Sequence, residues 1–243
     1  MQHPPPTDPG GPVIALGMHR SGTSCLIGCL QEAGLELGNV VAETFDNPKG
    51  NRENKAIMGL QNGLFRDSGT EWNQPPQEAL PWTPERRAER DAIIATYPDD
   101  RLWGFKDPRT VFTLAGWLQV LPAARLIGSI RHPLAVAQSL QTRNGFRIER
   151  GLKLWLAYNA QLLRICRDRS SGPVGLVSFD WPWPRYDAAL RRLCADLGLA
   201  APARFGFVDT ALRRNSADTG AEGGADLPAP VADTWQALQQ YLV

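Results

Sequence analysis

Gly17-Met18-His19-Arg20-Ser21-Gly22-Thr23-Ser24 is the stretch on which the fold turns. Its two glycines stand at the P-loop interval, and the residues on either side change period. Before it, Pro12 to Leu16 is a short apolar run of strand character that ends at Gly17. After it, Cys25, Leu26, Cys29, Leu30 and Ala33 recur at helical spacing until Gly34 stops the pattern. Strand, glycine loop and helix in that order make an anion cradle. The loop N–H groups point inward and the helix amino terminus adds partial positive charge, so a phosphate is held without a dedicated cation. Thr23 and Ser24 add hydroxyl donors.

The alternation continues outward. Asn47-Pro48-Lys49-Gly50 reads as a turn, followed by a helix from about Asn51 in which Ile57, Leu60, Leu64 and Phe65 share a face. Thr83 and Pro84 open the next helix as N-cap and first-turn residue. Leu102 to Lys106 reads as a strand, Val111 to Leu121 as a helix, and Ala124 to Ile130 as a buried strand ending at Arg131-His132-Pro133, where helix resumes. Gly151 to Arg169 is a long helix and Val174 to Phe179 a strand. Tyr186, Ala189, Leu190, Leu193 and Leu197 mark a helix that stops at Gly198. This order predicts an α/β, three-layer, P-loop NTPase-like fold: a central parallel sheet flanked by helices, with ligands collecting beyond the carboxyl ends of the strands. Residues 1–11, rich in proline, read as a disordered tail and 12–214 as one domain. Residues 215–243 read as a linker and a short helix carrying Trp235, Leu238 and Tyr241.

Composition removes several function classes. In 243 residues, 26 Lys and Arg face 25 Asp and Glu, so nothing pushes the whole molecule toward nucleic acid or an anionic membrane. Four cysteines without a CxxC pair and only three histidines argue against a zinc site. Cys25 and Cys29, one helical turn apart among apolar neighbours, suit core packing in a reducing compartment, and a cytoplasmic location is expected. Prolines stand where a signal peptide needs an apolar run, and no uncharged apolar stretch reaches the roughly 18 residues that span a bilayer.

One departure directs the chemistry. Where a nucleoside triphosphatase has a lysine after the second glycine to meet β and γ phosphates, this chain has Thr23, and Arg20 inside the loop is the substitute. A nucleotide with a single 5′-phosphate carrying a transferable group needs neither that lysine nor the magnesium that bridges β and γ oxygens. A second motif is Arg131 at a strand end, Pro133 opening a helix, and Ser139 on that helix. An arginine fork and a hydroxyl so placed can converge on one dianionic phosphate.

In these residues the sequence resembles the sulfotransferase superfamily, whose 5′-phosphosulfate loop takes the form Arg-Ser-Gly-Thr-Ser, as in Arg20 to Ser24. The resemblance implies 3′-phosphoadenosine 5′-phosphosulfate (PAPS) as donor, its desulfated form PAP as product and no required metal. It places the 3′-phosphate site at Arg131 and Ser139. Gly104-Phe105-Lys106-Asp107-Pro108-Arg109, the Asn47-Pro48-Lys49-Gly50 turn with Glu53 after it, and the Ser178-Phe179-Asp180 strand end also look like bacterial members. The likeness runs from about Val13 to Arg214.

The implied reaction is an in-line displacement in which fixed cations meet charge growing on the leaving oxygen, a role for Arg20 and Lys106. Many relatives use a histidine base, but His3, His19 and His132 do not occupy the expected position, which leaves a carboxylate. Glu53 leads, with Asp107 and Glu43 as rivals. Each has a plainer alternative. Glu53 can be a first-turn glutamate complementing a helix dipole, Asp107 a partner holding Arg109 or Arg20, and Lys106 a solvated strand-end charge. Arg213 and Arg214 either reach the 3′-phosphate or are surface charges. The acceptor is a hydroxyl or amine on a small molecule, carbohydrate or lipid, with the stretch from Phe65 to Asp99 shaping its pocket. Competing readings are a P-loop kinase-like phosphotransferase on a small molecule and a nucleotide-binding regulator that kept the loop.

Overall fold

The structure is a computed structural model describing residues 10–41, 50–168, 172, 174–208 and 227–243. The elements run β1 (Val13–Leu16), α1 (Thr23–Glu32), α2 (Lys55–Asp67), α3 (Pro84–Ile94), β2 (Gly104–Lys106) and α4 (Thr110–Leu118). They continue through β3 (Arg125–Ile130), α5 (Pro133–Asn144), α6 (Ile148–Arg167), β4 (Val174–Ser178), α7 (Trp183–Leu197) and α8 (Ala229–Gln239). The four strands form one parallel sheet in the order β2-β1-β3-β4. The chain leaves β1 toward one side and returns on the other, so the loop after β1 sits at the reversal, where parallel sheets leave a crevice.

Alternation along β1 explains the layers. Ile14 and Leu16 face a core shared with α2, α4, α5, α6 and α8, whereas Val13 and Ala15 face one shared with α1 and α7. Successive strand residues point to opposite faces, and helices covering both make the buried three-layer sandwich expected of an all-parallel sheet. Trp117, Trp155, Tyr158, Phe105 and Phe112 fill the larger core. Each buried aromatic of this kind contributes roughly 1.5–3 kcal/mol of transfer free energy.

Local chemistry sets the ends. Thr83 caps α3, accepting from the Arg86 amide at 3.3 Å. The helix expected from about Asn51 starts at Lys55, because Arg52 takes a left-handed backbone (φ 57°) and the Asn54 side chain caps the helix. Glu53 therefore precedes the helix rather than lying in its first turn. The last helix is seated in the larger core through Val231 and Leu238. Beyond it, Tyr241 O accepts from Leu176 N at 3.1 Å and Val243 N donates to Leu176 O at 3.0 Å, tying the chain to β4. No helix among the described residues is long and apolar enough to cross a membrane.

Candidate active site

The sequence-predicted residues gather at the carboxyl ends of the strands. Gly17 lies at φ 139° between β1 and α1, and a Cβ there would stand 2.4 Å from Ser129 O. At Gly22 (φ 82°) a Cβ would stand 2.2 Å from the Phe179 ring. Both positions need glycine, since the backbone is wound tightly against β3 and the end of β4. The buried Ser129 hydroxyl donates to Ser21 O at 2.6 Å and pins the loop. Arg20 is also left-handed (φ 66°), a strain of about 1–3 kcal/mol for a residue with a Cβ.

That strain is held by the second motif. Arg20 Nε donates to Ser139 Oγ at 2.8 Å, and Arg131 Nη1 donates to Arg20 O at 3.3 Å. Residues 119 positions apart thus meet in one site. Arg131 is itself positioned at both ends. Its carbonyl accepts from Trp155 Nε1 at 3.0 Å; its guanidinium lies 3.6 Å from Asp180 and 5.3 Å over the Phe179 ring. Asp180 also accepts from the His132 amide at 2.6 Å.

On the β2 side of the glycine loop stands a buried ion pair. Lys106, at the end of β2, donates to Glu53 Oε1 at 2.9 Å and to Ser24 Oγ at 3.2 Å, and Ser24 Oγ donates to Asn51 O at 3.0 Å. Burial would raise the Glu53 carboxyl, but the Lys106 ammonium outweighs it with help from His19 and Arg109, so Glu53 sits below the ordinary carboxylate value. Lys106 is only 2% exposed, which excludes the solvated strand-end charge. Asp107, fully buried, accepts from Arg109 through Nε at 2.8 Å, Nη2 at 2.6 Å and the backbone amide at 2.9 Å. Burial pushes its carboxyl up and Arg109 pulls against that. Arg109 also bonds Asn62 on α2, so this pair ties β2 to α2.

His19 packs against Trp72 (5.0 Å between ring centroids) and Tyr158 (5.5 Å), and its Nε2 is enclosed without a partner among the described residues. Trp155, Asp180 and Asn62 were not foreseen as site residues. Only the Ser178-Phe179-Asp180 likeness pointed toward one of them, since hydrogen bonds across the sheet leave no local pattern. Glu43, Asn47 to Lys49, Arg213 and Arg214 lie outside the described residues.

The first turn of α1 has no side-chain cap, which leaves its N–H groups for an anion, and Ser21 Oγ is buried without a partner among the described residues. The described residues include no group of three or more His, Cys, Asp or Glu able to hold a metal ion.

Known proteins sharpen this picture. The chain is similar to the solved sulfotransferase domain of the Synechococcus PCC 7002 olefin synthase, at 19% identity and TM-score 0.57 over 98% of both chains. It is also similar to a sulfotransferase from Alicyclobacillus acidocaldarius, at 16% identity and TM-score 0.54 over 94% of both. These likenesses establish the fold. Curated protein sequences include no match. The model of the Sulfotransferase family matches residues 12–203, and with that span the chain belongs to the sulfotransferase family.

Proposed function

We propose that this sulfotransferase uses PAPS as donor and sulfates a hydroxyl or amine of a small-molecule, carbohydrate or lipid acceptor in the cytoplasm. The observation that carries the reading is the Arg20–Ser139 hydrogen bond at 2.8 Å, which sets a lysine-free glycine cradle beside a strand-end arginine. Ser21, Gly22, Thr23 and Ser24 hold the 5′-phosphate end through main-chain N–H groups and hydroxyls. Arg131 and Ser139, with the uncapped first turn of α5, hold the 3′-phosphate. Arg213 and Arg214 are assigned to the same phosphate.

When bound, PAPS supplies the sulfuryl group and a phosphate leaving group. Arg20 and Lys106 meet the charge on the leaving oxygen as its bond to sulfur breaks, while Glu53 takes the proton of the acceptor as the new oxygen–sulfur bond forms. The Lys106–Glu53 contact keeps Glu53 ionised. The buried pairing of Asp107 with Arg109 supports a positioning role over a base.

Thermal melting with added nucleotide tests the reading. PAP without magnesium raises the melting temperature, and ATP with magnesium leaves it nearly unchanged; the opposite pattern would return the chain to the kinase-like class. Neither the loop nor its surroundings favour that class, since Thr23 stands where its lysine would be.

A further inference from the structure

We infer that Trp235, on a helix beyond the family match, is a positioning residue for recognition of the 3′-phosphate. The inference rests on the donor assignment above and adds to it the element that holds Arg131 in place.

The contacts form a short chain. Trp235 meets His132 edge to face, with ring centroids 5.6 Å apart at 80°, and meets Trp155 at 6.2 Å and 69°. Trp155 is fully buried, and its indole N–H donates to Arg131 O at 3.0 Å. The Arg131-His132 turn is thereby held by two indole rings, one bonded to the Arg131 carbonyl and the other packed on the His132 side chain. The guanidinium is set by Asp180 and the Phe179 ring. An arginine fork recognises a phosphate only when its root and its tip are both fixed, because the side chain otherwise samples several rotamers.

The helix that carries Trp235 is firmly held. Val231 is 2% exposed and Leu238 fully buried, and the Tyr241 and Val243 backbones bond Leu176 on β4. The family match ends at residue 203, so α8 is a support that the shared motif region does not contain. Trp235 acts through Trp155 and His132, and its loss should weaken the 3′-phosphate contact while sparing the cradle after β1.

Titration calorimetry of the full chain with PAP and, separately, AMP reads that difference. Wild type should prefer PAP over AMP. Trp235→Ala should lower PAP affinity about ten-fold while AMP affinity shifts less than about two-fold, and Trp235→Phe should stay within about two-fold of wild type for both. Equal losses on PAP and AMP, or an unchanged PAP affinity, would overturn the inference. If Trp235→Ala does not fold, Trp235→Leu leaves a smaller cavity than alanine while still removing the ring, and the same ratio decides. A wild-type protein without preference for PAP over AMP would instead remove the donor assignment itself.

Discussion

The loop after β1 and the turn after β3 each bring an arginine to the carboxyl ends of the strands, yet they are built in opposite ways. The first is contiguous in sequence and made of main chain. Its requirements are the two positions, Gly17 and Gly22, where a Cβ would collide with its neighbours. The second is assembled from side chains on β3, α5, α6 and the end of β4: Arg131, Ser139, Trp155 and Asp180. A backbone cradle fails when its path is blocked, whereas a side-chain grip fails when any support moves. The two ends therefore differ in which substitutions they tolerate, although the proposed phosphate contacts at both rest on the same electrostatics.

Beside the first of them, at the end of β2, lies the Lys106–Glu53 pair, and the largest expected effect is there. Glu53→Gln keeps the shape and removes the base. Turnover should fall about 10²–10⁴-fold, the usual contribution of a general base, while the dissociation constant for PAP moves by less than about three-fold. Single-turnover kinetics and calorimetry separate the two quantities. Normal turnover would pass the base role to another carboxylate, and a large loss of PAP binding would make Glu53 part of the anion grip.

Gly22→Ala probes whether the two ends are independent. The added methyl must occupy a φ of 82° and displace the Phe179 ring 2.2 Å away. That ring also lies beneath the Arg131 guanidinium. AMP affinity should drop about ten-fold from the blocked cradle and PAP affinity about a hundred-fold, the excess arriving through Phe179. Calorimetry giving equal losses would show that the ends do not communicate by this route.

The same contrast explains what could be read from the sequence. A backbone cradle announces itself, because glycines at fixed spacing between a strand and a helix leave a local signature, and the order of strands and helices followed from apolar period. The residues Arg20 to Ser24 were legible for that reason, whereas Arg131 and Ser139 were singled out by their place at a strand-to-helix turn and by the family resemblance. What escaped was assembled by tertiary contact. No periodicity pairs Trp155 with Arg131 O, and none seats Trp235 on His132 across the larger core. The helix start near Glu53 was misplaced by a few residues because an Asn54 cap and a left-handed Arg52 override helical spacing. Lys106 and Asp107 looked like strand-end charges with several fates; only burial and the identities of their partners separated them.

Each end also carries one histidine, and the smallest expected effect compares them. Burial pulls the His19 imidazole from 6.5 down to about 3, with Glu53 opposing and Arg109, Lys106 and Arg143 reinforcing. His132 is lowered as well by burial, with Asp180 opposing. In the unfolded chain both take up a proton near 6.5, so below that pH the unfolded state binds more protons and stability falls as pH drops. Glu53 adds a loss in the same direction but lower down. Its ion pair stabilises the fold above the unfolded value of 4.5, and that contribution disappears as pH falls through the lowered folded value. Melting temperatures between pH 7 and 5 therefore report the histidines before the carboxylate. His19→Asn should flatten the decline, leaving the variant on the order of 3 °C ahead of wild type in the pH 5 change, and His132→Asn should flatten it less. A decline as steep in His19→Asn as in wild type would mean that the imidazole at the loop is protonated in the folded protein. The cradle would then carry a second cation beside Arg20, and the contrast between a main-chain end and a side-chain end would narrow.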